Sequence, residues 1–233
     1  MTEQFDLIIR NAVLRKDSKT QFDIGLKNGK IEKIAPKIDA KGTGELDAGG
    51  NLVTESFVNT HLHLCKVYTL MMMDEAALKD YHGADMGKAM TAIELAAKIK
   101  EQYDEKWIIK NVRKAAALAA RYGCTHIRAF ADVDSKSKLE GIKALIKARD
   151  EFKGIVDIQT VAFAQDGLVR EPGAEALMRQ AMDLSADVVG GIPWIEYTDA
   201  DIAEHVRICF LLAKEYDKPV SMLVDDAGDN GLR

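Results

Sequence analysis

Cysteine is scarce: Cys65, Cys124 and Cys209 are the only three in 233 residues. So few, so far apart, cannot close a disulfide framework, which points to a reducing compartment. There is no basic excess either, with Lys+Arg 32 against Asp+Glu 37 and a formal net charge of -5. A surface that tracks phosphates needs clustered Lys and Arg, so neither nucleic acid nor an anionic membrane is an expected partner. Long apolar runs are missing too: no window approaches the ~20 consecutive apolar residues of a spanning helix. Met1–Arg10 lacks the basic start and apolar stretch of a signal peptide. The expectation is a cytoplasmic protein without a membrane partner. With 47% hydrophobic and 30% charged residues, the chain has enough apolar content to bury a core and escape disorder.

Short alternating or apolar runs come first: Phe5–Arg10, Phe22–Lys27 and Lys30–Ala35. Asn28-Gly29 separates the last two, and both residues tolerate the positive φ of a type I′ hairpin turn. Residues 1–50 therefore read as a small antiparallel β unit closed by the glycine-rich stretch Lys41–Gly50, with residues 51–233 forming the second unit.

In that second unit strand-like runs alternate with helical segments. The runs are Leu52–Val58, Cys124–Val133, Val156–Phe163, Asp187–Gly190 and Val220–Val224, the last four starting 32, 31 and 33 residues apart. Between them, Ser135–Lys153, Pro172–Ser185 and Thr198–Tyr216 repeat apolar residues every three to four positions. Thr91–Tyr122 is a longer helical stretch that Gly123 is placed to cap. Repeated βα units give a parallel sheet, either open or curled into a (β/α)8 barrel, and periodicity does not separate the two. Five strands are visible, so a closed barrel would require a longer polypeptide.

His61-Leu-His63 follows the first of these runs. Side chains alternate along a strand, so both imidazoles face the same way, and the carboxyl end of a strand is where βα proteins build their sites. The pair suits a metal. The bland alternative, two strand-end histidines in polar loop surroundings, is weakened by that placement.

At these residues the chain resembles the amidohydrolase superfamily, and within it the cytosine deaminase and isopropylammelide isopropylaminohydrolase branch. The resemblance is carried, in order, by Phe5–Ala12, Asp23–Ile31, Asp47–Val53, Phe57–Leu64, Gly123–Arg128 with Asp132-Val-Asp134, Val156–Gln165 and Asp187–Pro193. It implies an α/β fold, a partial (β/α)8 TIM-type barrel of about five βα units preceded by a small β-sandwich unit. It also implies a metal-dependent hydrolase that deaminates a cyclic amidine or amino-heterocycle, a cytosine-like or triazine-like ring. His61 and His63 would bind one divalent ion, zinc or iron. Gln165 would read the amide-like edge of a small cyclic nitrogenous substrate, its carbonyl and NH2 pairing with a complementary donor and acceptor.

Four departures from the family pattern matter. Leu223 stands where a third metal histidine is expected, and leucine donates nothing to a metal. Asp226 stands at the general acid/base glutamate, keeping the carboxylate on an arm one methylene shorter. Cys65 replaces an aspartate and offers a conceivable thiolate ligand, while Phe130 replaces a histidine. Of the other histidines, His126 opens the second strand at the end away from the site, and His205, within the Thr198–Tyr216 helix, reads as an outer-face or packing residue. His82 lies in a Met-rich stretch, Leu70–Met90, that reads as apolar cover or a lid.

Two readings from different classes follow. One is a deaminase; the other is a catalytically inactive homologue or fragment that binds a small heterocycle or serves as a subunit. An unrelated open-sheet α/β protein is a third. A homo-oligomer or a complementing C-terminal segment is expected, because an incomplete barrel would leave a strand edge with Val220, Met222 and Val224 unprotected.

Overall fold

In the computed structural model residues 4–72 and 99–224 are described, and the chain divides into two compact units, Met1–Ser56 and Phe57–Arg233.

The first unit is a five-stranded sheet of β1 (Phe5–Leu14), β2 (Asp17–Lys27), β3 (Lys30–Ala35), β4 (Gly42–Asp47) and β5 (Leu52–Val53), with β3-β2-β1-β4 in line and β5 beside β1. The expected hairpin joins β2 to β3, with Asn28 at φ 51° and Gly29 at φ 72°. Only β1, β2 and β3 pair antiparallel; β4 and β5 run parallel to β1, so the sheet is mixed. A buried cluster of Phe5, Ile8 and Ile38 fixes its inner face. Arg10 ties β1 outward, donating to Asp23 at 2.7 Å, the Ile38 carbonyl at 2.6 Å and Glu45 at 2.9 Å. Leu52-Val53 belongs to this sheet, whereas the run Leu52–Val58 reads as one barrel strand from sequence alone. The three residues after Val53 break the run.

The second unit is an all-parallel sheet in the order β10-β9-β8-β7-β6, curled as part of a barrel. Its strands are β6 (Phe57–Leu62), β7 (Cys124–Asp132), β8 (Asp157–Phe163), β9 (Val188–Gly191) and β10 (Val220–Met222). Among the described residues the longer helices are α1 (Glu105–Arg121), α2 (Glu140–Glu151), α3 (Ala174–Asp183) and α4 (Asp199–Tyr216). α1 ends just before Gly123, as expected, and Asp104 opens it by accepting from the Lys106 and Trp107 amides. Thr198 and Asp201 close a reciprocal capping box at the start of α4. Among the described residues no helix is long and apolar enough to cross a membrane.

Strand alternation sorts the core into two layers. Ile127, Ala129, Ala131 and Val133 face the helices and meet Ile108, Val112, Ile142, Leu145, Met178 and Leu212. Phe130, Val161, Phe163 and Val188 face the other way, into an inner cluster with Ile192 and Ile195. Each fully buried Ile, Leu or Met contributes about 1.5–3 kcal/mol, so the helix side supplies most of the apolar stabilisation. Val220 and Met222, expected to be unprotected, are half-buried against the helix-side core, because their parity on β10 turns them toward α4 rather than along the edge; Val224 is exposed. β9 is glycine-ended for a steric reason. A Cβ on Gly191 would lie 2.7 Å from His205 Nε2 and 2.8 Å from Cys209 Sγ, so α4 rests directly on the strand backbone.

Candidate functional site

The carboxyl ends of β6, β7 and β8 bring His61, His63, Lys66, Asp132 and Gln165 together. His63 leaves β6 at the start of a short 3-10 turn, Leu64–Lys66, that buries Leu64 and Cys65 and turns Lys66 back over the sheet. The Lys66 ammonium donates to Gln165 Oε1 at 2.6 Å and stands 2.9 Å from Asp132 Oδ2. His63 Nδ1 lies 3.5 Å from the other oxygen of Asp132. Burial lowers the proton affinity of His63, and the Asp132 carboxylate offsets only part of that effect.

Beneath this polar row is an aromatic floor. The His61 ring lies tilted against Phe130 at 4.4 Å between centroids, and His63 lies 5.4 Å from Phe130 and 5.3 Å from Phe163. Leu223 packs against the same inner cluster. The position that would have to supply a third nitrogen therefore supplies packing. Among the described residues no group of three His, Cys, Asp or Glu converges to hold a metal ion. Cys65 does not fill the gap: it is buried, accepts the Asp132 amide N–H at 3.4 Å, and burial followed by the charge of Asp132 pushes its thiol up to about 12. It remains a protonated thiol at neutral pH. The donor set among the described residues, two imidazoles without a third ligand, does not fit the expected zinc or iron.

Positive charge enters the site through lysine instead. Lys100 is fully buried, with Nζ 3.0 Å from Asp132, 2.9 Å from Asp134 and 2.8 Å from Asp166. Burial opposes its charge, and the three carboxylates overcome that and raise its pKa. Burial likewise works against ionised Asp132, but Lys100 and then Lys66 hold its carboxyl well below the usual carboxylate range. Asp134 also shapes the loop that follows β7 by accepting the Lys136 and Ser137 amides.

A second buried polar group fixes the loop after β8. Glu196 accepts backbone N–H groups from Leu168 at 2.6 Å, Val169 at 3.1 Å and Arg170 at 2.8 Å. His205 Nε2 accepts the Ile192 amide at 3.1 Å, which leaves its proton on Nδ1, 2.7 Å from Glu196 Oε1. Burial pushes against the Glu196 charge, yet these donors keep its pKa lowered. Of the two readings of His205, outer face or packing, the structure shows the second: the residue is buried, with a definite partner.

The structure places His61, His63 and Gln165 near one another at the strand carboxyl ends. Asp226 lies outside the described residues, as do Asp225, Asp229 and His82. His126 sits at the amino end of β7, exposed, with Nε2 3.4 Å from Asp157. A cavity of about 510 Å³ opens at that end, but its polar lining is already paired, Arg128 with Gln159 at 2.7 Å and Arg149 with Asp187 at 3.0 Å. Lys66, Lys100 and the carboxylates of Asp132, Asp134 and Asp166 are what residue-by-residue reasoning missed. Asp132-Val-Asp134 at a strand end was a usable signal, since period two sends both side chains the same way. Lys100 had none, lying in a helical stretch without a motif.

Across its full length the chain is 36% identical to an N-isopropylammelide isopropyl amidohydrolase of Pseudomonas sp. (strain ADP), covering 56% of that protein. Among solved structures it is similar to 5-methylcytosine deaminase from Klebsiella pneumoniae liganded with phosphonocytosine, with a TM-score of 0.82 and 28% identity over 97% of this chain and 53% of that one. It is also similar to N-isopropylammelide isopropylaminohydrolase from Burkholderia multivorans ATCC 17616, with a TM-score of 0.69 and 26% identity over 95% of this chain and 54% of the other. The chain therefore spans about half the length of these relatives. No family model matches it.

Proposed function

The chain belongs to the amidohydrolase superfamily, in the branch of the cytosine deaminases and isopropylammelide isopropylaminohydrolases, and from that premise we propose that the protein hydrolyses the bond between a ring carbon and its exocyclic nitrogen in a small cytosine-like or triazine-like ring. The observation that supports this reading best is the polar row at the strand carboxyl ends, where Gln165 is held by Lys66 beside His63 above an aromatic floor. A flat, polar-edged ring needs that combination: an apolar surface to lie on and fixed hydrogen-bonding groups at its rim.

Hydrolytic deamination joins the oxygen of water to the ring carbon, releases the amine and moves a proton from the water to the leaving nitrogen. In this chain Gln165 and Lys66 orient the ring, Phe130 and Phe163 exclude water from beneath it, and Asp226 is assigned the proton transfer. His61 and His63 face the same space. Because the residues in hand do not fit a metal, no step is routed through one. Three unpaired thiols support a reducing, cytoplasmic setting.

Leu223 favours a second reading, a homologue that binds the ring without turning it over. Ammonia release from cytosine and from ammelide-type rings, measured beside calorimetric binding of the same compounds, separates the two. Activity that falls at least about 100-fold in Asp226→Asn supports the deaminase; binding without ammonia supports the second reading; neither sinks both. Near one zinc or iron per chain, absent in a His61→Ala/His63→Ala variant, would restore the metal-dependent form of the first. Size-exclusion mass on the same sample reads the expected homo-oligomer.

A further inference from the structure

We infer that Lys66 is a specificity-determining positioning residue: by holding the oxygen of Gln165 it locks the side-chain amide in one orientation, so that the site offers a ring two donors and selects an acceptor edge. The inference rests on the heterocycle-binding reading above and names the class of ring within it.

An unrestrained glutamine is ambidextrous. Turning its terminal amide by half a turn exchanges C=O for NH2, and the same residue then reads either a donor or an acceptor at one place. Lys66 removes that choice. An ammonium carries three donors and no acceptor, so only the amide oxygen can face it, and Gln165 Oε1 sits 2.6 Å from Nζ. Reversal would set NH2 against an ammonium in a site where Gln165 is 7% exposed, with little water to relieve it. Lys66 is itself held, 2.9 Å from Asp132, which is fully buried and held in turn by Lys100 at 3.0 Å. The chain Lys100, Asp132, Lys66, Gln165 thus transmits a fixed orientation from the interior to the rim of the site.

What this pair leaves for a ligand is the Gln165 NH2 and the remaining N–H of Lys66, both donors. A ring whose edge presents adjacent oxygens, or an oxygen beside a deprotonated ring nitrogen, meets this set. One whose edge presents amino groups meets donors with donors, and rejection of that kind is steep because the buried groups are left unpaired.

Two triazines with opposite edges test this: cyanurate, with oxygens flanking a deprotonated nitrogen, and melamine, with amino groups at the same positions. Titration calorimetry on the full chain at neutral pH should give cyanurate an affinity about tenfold or more above melamine. The preference should persist at about 1 M salt, where screening acts within ~3 Å and long-range attraction of an anion is removed. In Lys66→Met the ratio should fall to within about threefold, because Gln165 regains both orientations. Gln165→Glu, which keeps the shape and removes the NH2, should lose cyanurate by about tenfold. Equal binding in the unsubstituted protein, or a preference that salt abolishes, overturns the lock while leaving the heterocycle reading standing. Binding of neither triazine and no cytosine overturns both. Should Lys66→Met fail to fold, the unsubstituted ratio and Gln165→Glu decide.

Discussion

β7 carries a histidine–aspartate contact near each of its ends, and the two are nearly the same length. His126 and Asp157 approach to 3.4 Å at the amino end; His63 and Asp132 approach to 3.5 Å at the carboxyl end. The side chains of the first pair are 56% and 68% exposed, those of the second 22% and 0%. Distance is the same and consequence is not. At the amino end water screens each charge and can replace each partner. At the carboxyl end Asp132 has no water to fall back on, so its charge must be met by Lys66 and Lys100, and any change there propagates. The sheet therefore keeps its removable polar pairs at one end and its obligatory ones at the other, and the obligatory ones surround the candidate site.

The largest expected effect comes from deleting the buried cation. Lys100→Met leaves Asp132, Asp134 and Asp166 without the ammonium within 3.0 Å of each, and loss of one side of a buried ion pair costs about 3–5 kcal/mol. Urea unfolding should show the midpoint falling accordingly, and ligand binding should weaken with it because Lys66 loses its anchored partner. A change under about 1 kcal/mol would mean that the carboxylates take up protons or admit water at little cost, and the contrast between the two ends would collapse.

Next is Glu196, whose carboxylate meets three backbone amides and His205. Glu196→Gln should cost about 1.5–3 kcal/mol at neutral pH. The pH dependence follows from the direction of its shift. Its folded pKa lies below its unfolded value near 4.5, so its stabilisation is fully present above that value and is lost as pH falls through the folded pKa. Chemical-denaturation midpoints recorded from pH 7 to pH 3 should decline in the unsubstituted protein and decline less steeply in the variant. Parallel curves would refute the assignment.

How much of this was legible beforehand differs between backbone and site. The βα alternation, the Asn28-Gly29 turn and the stop at Gly123 could be read directly, because hydrophobic period and turn chemistry are local properties. Leu52–Val58 misled because an apolar run does not say which sheet it joins. The strand-end placement of His61, His63 and Gln165 was readable by parity, while Lys100 was not: only tertiary packing sets it beside carboxylates 32, 34 and 66 positions later in the chain. Leu223 reads from sequence as a gap in a ligand set, and in the structure the gap is filled with packing.

That filling makes a third, smaller prediction. Leu223→His restores an imidazole at the position but puts a polar ring against Phe130, Phe163 and Ile192, which should cost about 1–2 kcal/mol in the absence of metal. Zinc added to the variant should raise its melting temperature with a saturable dose response, and should do less to the unsubstituted chain. If both respond alike, His61 and His63 already bind with ligands other than the one at 223, and the carboxyl end is a metal site after all.

The smallest expected effect lies at the other end of β7. His126→Ala removes an imidazole that is more than half exposed and whose contacts, Asp157 at 3.4 Å and Thr125 Oγ1 at 2.8 Å, are all open to solvent. Exposed pairs of this kind are worth little, so the unfolding midpoint should stay within about 0.5 kcal/mol of the parent and heterocycle binding should not change. The value of the measurement lies in its pairing with Asp132→Asn, which removes one charge from a contact of almost equal length. If the exposed substitution costs as much as the buried one, burial is not what distinguishes the ends of this sheet. The loop charges would then matter through long-range potential, and both effects would shrink together as salt is raised. If only the buried substitution is costly and salt leaves that cost intact, the desolvated contact itself is responsible.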